Sequence, residues 1–164
     1  MTPSPRETTF VLPFYLSMMR TNATAVGERL WDDLVVVART ATVDDVLWLL
    51  RVGAWRPVVM GAWLSLRFDR GQVGAAVSHA LQESAGSLTA PPLAVAAVTI
   101  LGEGAVTPLR QSKARSDGPS VSILDAALET SGSDAAREVD EQSRVVFSEM
   151  FAVGKRLRSA LTGP

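Results

Sequence analysis

The sequence predicts an all-α fold: irregular helical hairpins stacked as a short solenoid and closed by a long C-terminal helix. Three observations predict it. Apolar residues recur at spacings of three and four along most of the chain, prolines and capping residues stand where such stretches begin, and an amphipathic stretch is repeatedly followed by an almost wholly apolar one. The 164 residues are 47% hydrophobic and 20% charged, a composition that suits one globular domain, residues 8–164, behind a flexible lead-in at 1–7.

The lead-in, MTPSPRE, holds two prolines and little apolar mass. Phe10, Val11, Phe14, Tyr15 and Met18 follow at helical spacing and predict a helix over 9–19, with Pro13 in a tolerated first-turn position. Thr24 reads as the cap of a helix over 25–39, with Val26, Leu30, Leu34 and Val37 on one face. Thr42 with Asp45 three residues on makes a capping-box start; Val46, Leu49 and Leu50 form the stripe and Gly53 the left-handed stop. Pro57 suits a first helical position, and the proline pushes the preceding Arg56 out of the helical region. A tight hairpin then joins residues 43–52 to 57–68.

The pattern recurs. Asp69 caps a helix with the stripe Val73, Val77, Ala80 and Leu81, and Pro91 and Pro92 open the apolar LAVAAVTIL. A weaker third copy runs through EGAVTPLRQSKA into a helix opened by Pro119. Pro57, Pro92 and Pro119 stand at offsets of 35 and 27 residues, an irregular version of stacked two-helix repeats. In the last segment Ser133 is the cap, Asp134 and Glu138 lie near the start, and Lys155, Arg156 and Arg158 near the end, as the helix dipole favours. Ala136, Val139, Ser143, Val146, Met150, Val153, Leu157 and Ala160, broadened by Phe147 and Phe151, predict about seven turns. Such a helix either packs along the repeats or pairs with a second copy, which would make a homodimer.

FVLPFYLSMMRTN at 10–22, the DDVLWLL helix and WRPVVMGAWLSL at 55–66 together resemble an uncharacterised, mostly actinobacterial family known as a domain of unknown function. Separately, LAVAAVTILGEGAVTPL at 93–109 looks like HEAT-type repeats. The resemblance implies helices throughout and assigns no activity.

A net charge of -1 supplies no excess positive field for non-specific nucleic-acid binding. The chain has no cysteine, which excludes disulfides, zinc–thiolate sites and cysteine nucleophiles. Fourteen arginines against two lysines read as the codon bias of a GC-rich bacterial genome. TTFVLPFYLSMM at 8–19, followed by ATA, has the outline of a secretory leader, but Glu7, Pro13, Tyr15 and Arg20 argue against one. The runs 57–66 and 91–101 fall well short of the roughly 20 residues of a membrane span and read as core, so the expectation is a cytoplasmic protein with no membrane partner.

No residue pattern calls for catalysis, a metal or a cofactor. His79 is the sole histidine and has no second ligand or triad partner in the pattern. Asp32–Asp33 and Asp44–Asp45 sit in or at the start of helices, where solvation and the dipole account for acids. GEGAV and RGQVG match no phosphate-binding motif and read as turns. The tryptophans carry more: Trp31, Trp48, Trp55 and Trp63 read first as core, but Trp48 falls off its helix stripe and Trp55 sits in a turn beside Arg56. Trp/Arg clusters are typical interaction hot spots, so Trp48, Trp55 and Arg56 are the candidate binding residues. The expectation is a non-enzymatic protein-interaction module of a bacterial cell, an immunity or adaptor protein. The alternative is nucleic-acid or small-ligand binding in the concave face of the repeats, with Arg51, Arg56, Arg67, Arg70 and Arg110 gathered by folding.

Overall fold

Side-chain caps set three of the helix starts among the described residues, and prolines in the first turn mark two more. The computed structural model describes residues 2–84, 86–133 and 138–163, and all regular structure among them is helical. The helices are α1 (Tyr15–Met18), α2 (Glu28–Ala38), α3 (Val43–Arg51), α4 (Trp55–Ser65), α5 (Arg70–Glu83), α6 (Ala90–Leu101), α7 (Val106–Arg115), α8 (Pro119–Thr130) and α9 (Glu141–Thr162).

Helix α3 opens on the expected box: the Asp45 N–H donates to Thr42 Oγ1 at 3.2 Å, and the Thr42 N–H donates to Asp45 Oδ2 at 3.0 Å. Gly53, at φ 79, takes the left-handed position that ends it. Asp69 and Gln72 repeat the box at α5, and prolines occupy the first turns of α6 and α8. Helix α4 departs from expectation. It opens at Trp55, ahead of Pro57, so Trp55 and Arg56 are helical rather than an extended turn. First-turn N–H groups have no intrahelical acceptor, so a proline in that turn forfeits no hydrogen bond. Burial of Pro57 and of the residues from Val59 to Ser65 outweighs the pre-proline preference of Arg56.

Consecutive helices pack in pairs, α3 on α4, α5 on α6 and α7 on α8. The pairs then pack on each other, α3 on α5 on α7 and α4 on α6 on α8. Helix α9 lies on α6 and α8 and reaches α2. Between these neighbours α4 and α6 are buried nearly all round, which explains their lack of a polar face. Trp63 is fully buried, and its Nε1–H donates to Met18 O at 2.8 Å, which satisfies the indole and pins α1 to α4. A short 3₁₀ turn carries α6 into α7. The continuous stretch Ala90–Arg115 is, among the described residues, long and apolar enough to cross a membrane by length and composition, unlike the shorter run read at 91–101. Its apolar half, α6, is enclosed by α4, α5, α8 and α9.

Three further boundaries differ from the sequence reading. The helix expected over 9–19 is broken into a π-helical turn at Glu7–Val11, a turn around Pro13, and α1. Pro13 falls mid-segment, where it cannot donate to the ladder. Helix α2 begins at Glu28 because Thr24 turns its hydroxyl back to Thr21 O at 3.0 Å instead of capping. Of the expected face Leu34 is fully buried and Val26, Leu30 and Val37 pack partly buried against the core, and Trp31 and Ala38 join them; Arg156 of α9 lies 4.1 Å over Trp31 and bonds Glu28 at 3.1 Å.

Helix α9 begins at Glu141, where Asp140 Oδ1 accepts from the Ser143 N–H at 2.9 Å. Residues 138–140 are not helical, so the cap expected at Ser133 is displaced to Asp140; Ser133 instead accepts from Arg110 at 3.0 Å. Asp134 and Ala136 lie outside the described residues. The buried stripe is Phe147, Met150, Gly154 and Leu157. Arginines then clasp the helix down. Arg158 donates to Leu66 O at 3.2 Å and Phe68 O at 3.3 Å, Arg39 to Ala160 O at 2.8 Å, and Arg144 to both oxygens of Glu129 at 2.9 and 3.1 Å. Arg67 spans the end of α2, donating to the carbonyls of Ala38, Arg39 and Ala41.

Candidate functional site

The first turn of α4 follows Gly53, whose left-handed backbone reverses the chain after α3. Trp55 is half-buried there and meets Tyr15 of α1 edge to face, with ring centroids 5.6 Å apart at 71°. The exposed Arg56 lays its guanidinium 5.0 Å from the Trp55 ring and 5.3 Å from the Tyr15 ring. Its N–H groups make no hydrogen bond or ion pair among the described residues, so neither a helix-end carbonyl nor an acid of α3 holds it. Stacking of this kind is worth about 0.5–1 kcal/mol at exposed sites and leaves the donors available.

Trp48 is placed apart. The Arg6 guanidinium covers its ring at 5.6 Å, and Arg6 Nε donates to Asp45 Oδ1 at 2.8 Å. Burial works to raise the Asp45 carboxyl, but hydrogen bonds from Thr42 and Arg6 outweigh it and hold the group below the usual carboxylate range. The structure therefore brings Trp55 and Arg56 together with Tyr15 and leaves Trp48 under Arg6.

Trp55 stands between two clefts. The larger, about 470 Å³, opens between the α3–α4 turn and the α5–α6 loop, with Leu50, Val58, Ala80 and Leu88 in its lining. Arg51, His79 and Glu83 also line it. Arg51 and His79 are exposed and have no hydrogen-bond, ion-pair or ring partner among the described residues, whereas Glu83 Oε2 accepts from Arg115 Nη1 at 3.2 Å. The smaller cleft, about 220 Å³, lies between α4 and the N-terminal turn and includes Glu7, Leu12 and Arg56. Hydrogen bonds from the Ser4 backbone and hydroxyl hold the Glu7 carboxyl below its ordinary range.

Ser84, a hydroxyl in the lining of the larger cleft, is buried and hydrogen-bonded to Thr89 at 2.7 Å, so it is not poised as a nucleophile. Among the described residues no three His, Asp or Glu side chains are grouped to hold a metal. What the arrangement offers is recognition: an aromatic edge, an apolar lining and cations with unused donors.

No protein-family model, curated protein or solved structure matches the chain.

Sequence reasoning missed two participants: Tyr15 read as part of a helix stripe and Arg6 as part of a loose lead-in, whereas His79 is the exposed surface histidine it was read as. The i, i+4 spacing of His79 and Glu83 on one helix was a usable signal for a shared face. Nothing local to residues 6 or 15 announces a partner some forty positions away.

Proposed function

We propose that the protein is a non-enzymatic interaction module built from HEAT-like hairpins, which presents Trp55 and Arg56 to a protein partner in an immunity or adaptor role within a bacterial cell. One observation carries the reading: Arg56, stacked on Tyr15 and Trp55 beside a 470 Å³ cleft, keeps its donors unused at an exposed edge. Aromatic and arginine side chains held in fixed geometry are the usual centres of binding energy. The pairwise packing of α3–α4, α5–α6 and α7–α8, each pair on the next, supports the solenoid description. Trp48 lies under Arg6 and shares no ring contact with Trp55, Arg56 or Tyr15 among the described residues, so it is the weaker candidate of the three.

The alternative, nucleic acid or a small ligand in the concave face, has less in its favour. Helix α9 lies on α6 and α8, Arg67 is committed to carbonyls, and Arg51 and Arg67 stand at opposite ends of α4. The test is capture of partners from the native cell with wild-type protein and with Trp55→Ala/Arg56→Ala, followed by affinity measurement on any purified complex. Loss of a hot-spot pair weakens binding by about 30-fold or more. A complex that survives the double substitution at full affinity overturns the assignment of this edge.

A further inference from the structure

The first turns of α6 and α8 meet at a second place, a cleft of about 330 Å³ that shares the α5–α6 loop with the Trp55 cleft. Pro91 and Pro119 mark the two helix starts, and Ile123 adds an apolar patch. Arg20 enters from the N-terminal segment, held by its N–H on Leu88 O at 3.2 Å. No carboxylate is among the lining residues, and the Arg20 side chain is exposed without a hydrogen bond or ion pair among the described residues.

Ser120 is the decisive residue. It is only 4% exposed, yet its hydroxyl has no hydrogen-bond partner among the described residues. No buried side-chain oxygen among them is both enclosed and unpartnered, so the hydroxyl is the part of Ser120 that reaches the cleft. Helix α8 also lacks a side-chain cap, Pro119 has no N–H, and the Ser120 N–H makes no bond to a preceding carbonyl. A free hydroxyl, a free first-turn N–H of α8 and a guanidinium without an acid line the same cleft, whereas the first turn of α6 offers no donor, since its Ala90 and Leu93 N–H groups are bonded to Gly86 O and Thr89 O and its prolines have none. Each of the donors in the cleft seeks negative charge on oxygen.

We propose that this cleft binds a phosphate-type oxyanion, as inorganic phosphate or as a small phosphomonoester whose organic part lies against Ile123. Arg20 supplies the planar pair of charged donors, while Ser120 supplies its hydroxyl and N–H. This site is independent of the Trp55–Arg56 edge and stands or falls separately.

The test is titration of the full chain with inorganic phosphate and with phenyl phosphate at constant ionic strength, read by calorimetry and by the Ser120 amide resonance. Saturable binding with a shift of that resonance is expected. Arg20→Gln and Ser120→Ala should each weaken it about tenfold or more, with Arg56→Gln unchanged. Tighter binding of phenyl phosphate assigns a phosphomonoester, and tighter binding of the bare ion assigns phosphate itself. Absence of saturation by about 10 mM, or equal affinity in both site variants, overturns the proposal.

Discussion

Gly154 is where the seating of α9 on the molecule can be tested most sharply. A Cβ built there would stand 2.5 Å from Val95 Cγ1, with Leu66 Cδ1 at 3.7 Å and Thr99 Oγ1 at 3.8 Å. Real carbon atoms do not approach so closely, and Val95 cannot easily withdraw: it is fully buried and β-branched in the middle of α6. Gly154→Ala has two opposed effects. Replacing glycine inside a helix gains about 1 kcal/mol of propensity. Overpacking costs about 1–3 kcal/mol, and a contact this short belongs in the upper half of that range, so the net loss is about 1–2 kcal/mol. For a chain of this size that lowers Tm by roughly 2–8 °C. Urea unfolding followed by circular dichroism should show an earlier midpoint at an unchanged slope. On a Val95→Ala background the clash is gone, and the same change should stabilise by about 1 kcal/mol, so the two positions couple strongly. A higher midpoint for Gly154→Ala in the wild-type background would refute the close approach of α9 to α6.

Other expectations concern caps and charge. Arg67→Ala frees the carbonyls at the end of α2 and should cost about 1–2 kcal/mol in urea unfolding, with Arg67→Lys recovering part of it. Thr42→Ala removes half of the capping box and should cost about 1 kcal/mol. Asp45 titrates below its ordinary 3.8, so its contribution is fully present above that pH and is lost as pH falls through the folded value. Asp45→Asn should therefore lower the urea midpoint at neutral pH and flatten its decline in acid; an unchanged acid limb would refute the role of the Thr42 and Arg6 hydrogen bonds.

Many signals complete within a few residues were read correctly, though Thr24 and the Arg56–Pro57 step were not. Thr42, Gly53, Asp69 and the prolines at 91, 92 and 119 act locally, and each stands where its chemistry places it. The apolar 57–66 run also read correctly as core, because the absence of a wet face has one straightforward cause. Errors arose where two local signals compete or where distant packing decides. Ser133 and Asp140 are both competent caps, and engagement of Ser133 by Arg110 accompanies the start at Glu141. Trp31 is buried beside Leu34 under Arg156, far along the chain, a contact nothing local to residue 31 announces. At the candidate site Trp55 and Arg56 were visible as a pair, whereas Tyr15, which orients both, was not.

The Arg39 clasp on Ala160 joins positions 121 residues apart. A stack whose units touch only their neighbours behaves as a one-dimensional array, free to gain a unit or to fray from its ends. A strap running from α8 to the end of α4 removes that freedom. A hairpin inserted between α4 and α9 would have to keep Arg158 within reach of Leu66 O, 3.2 Å away, or break that bond. The strap also sets an order on synthesis: the apolar flank of α6 stays uncovered until residues 141–163 have been made. The nascent chain thus passes through a sticky interval that ends only when α9 docks.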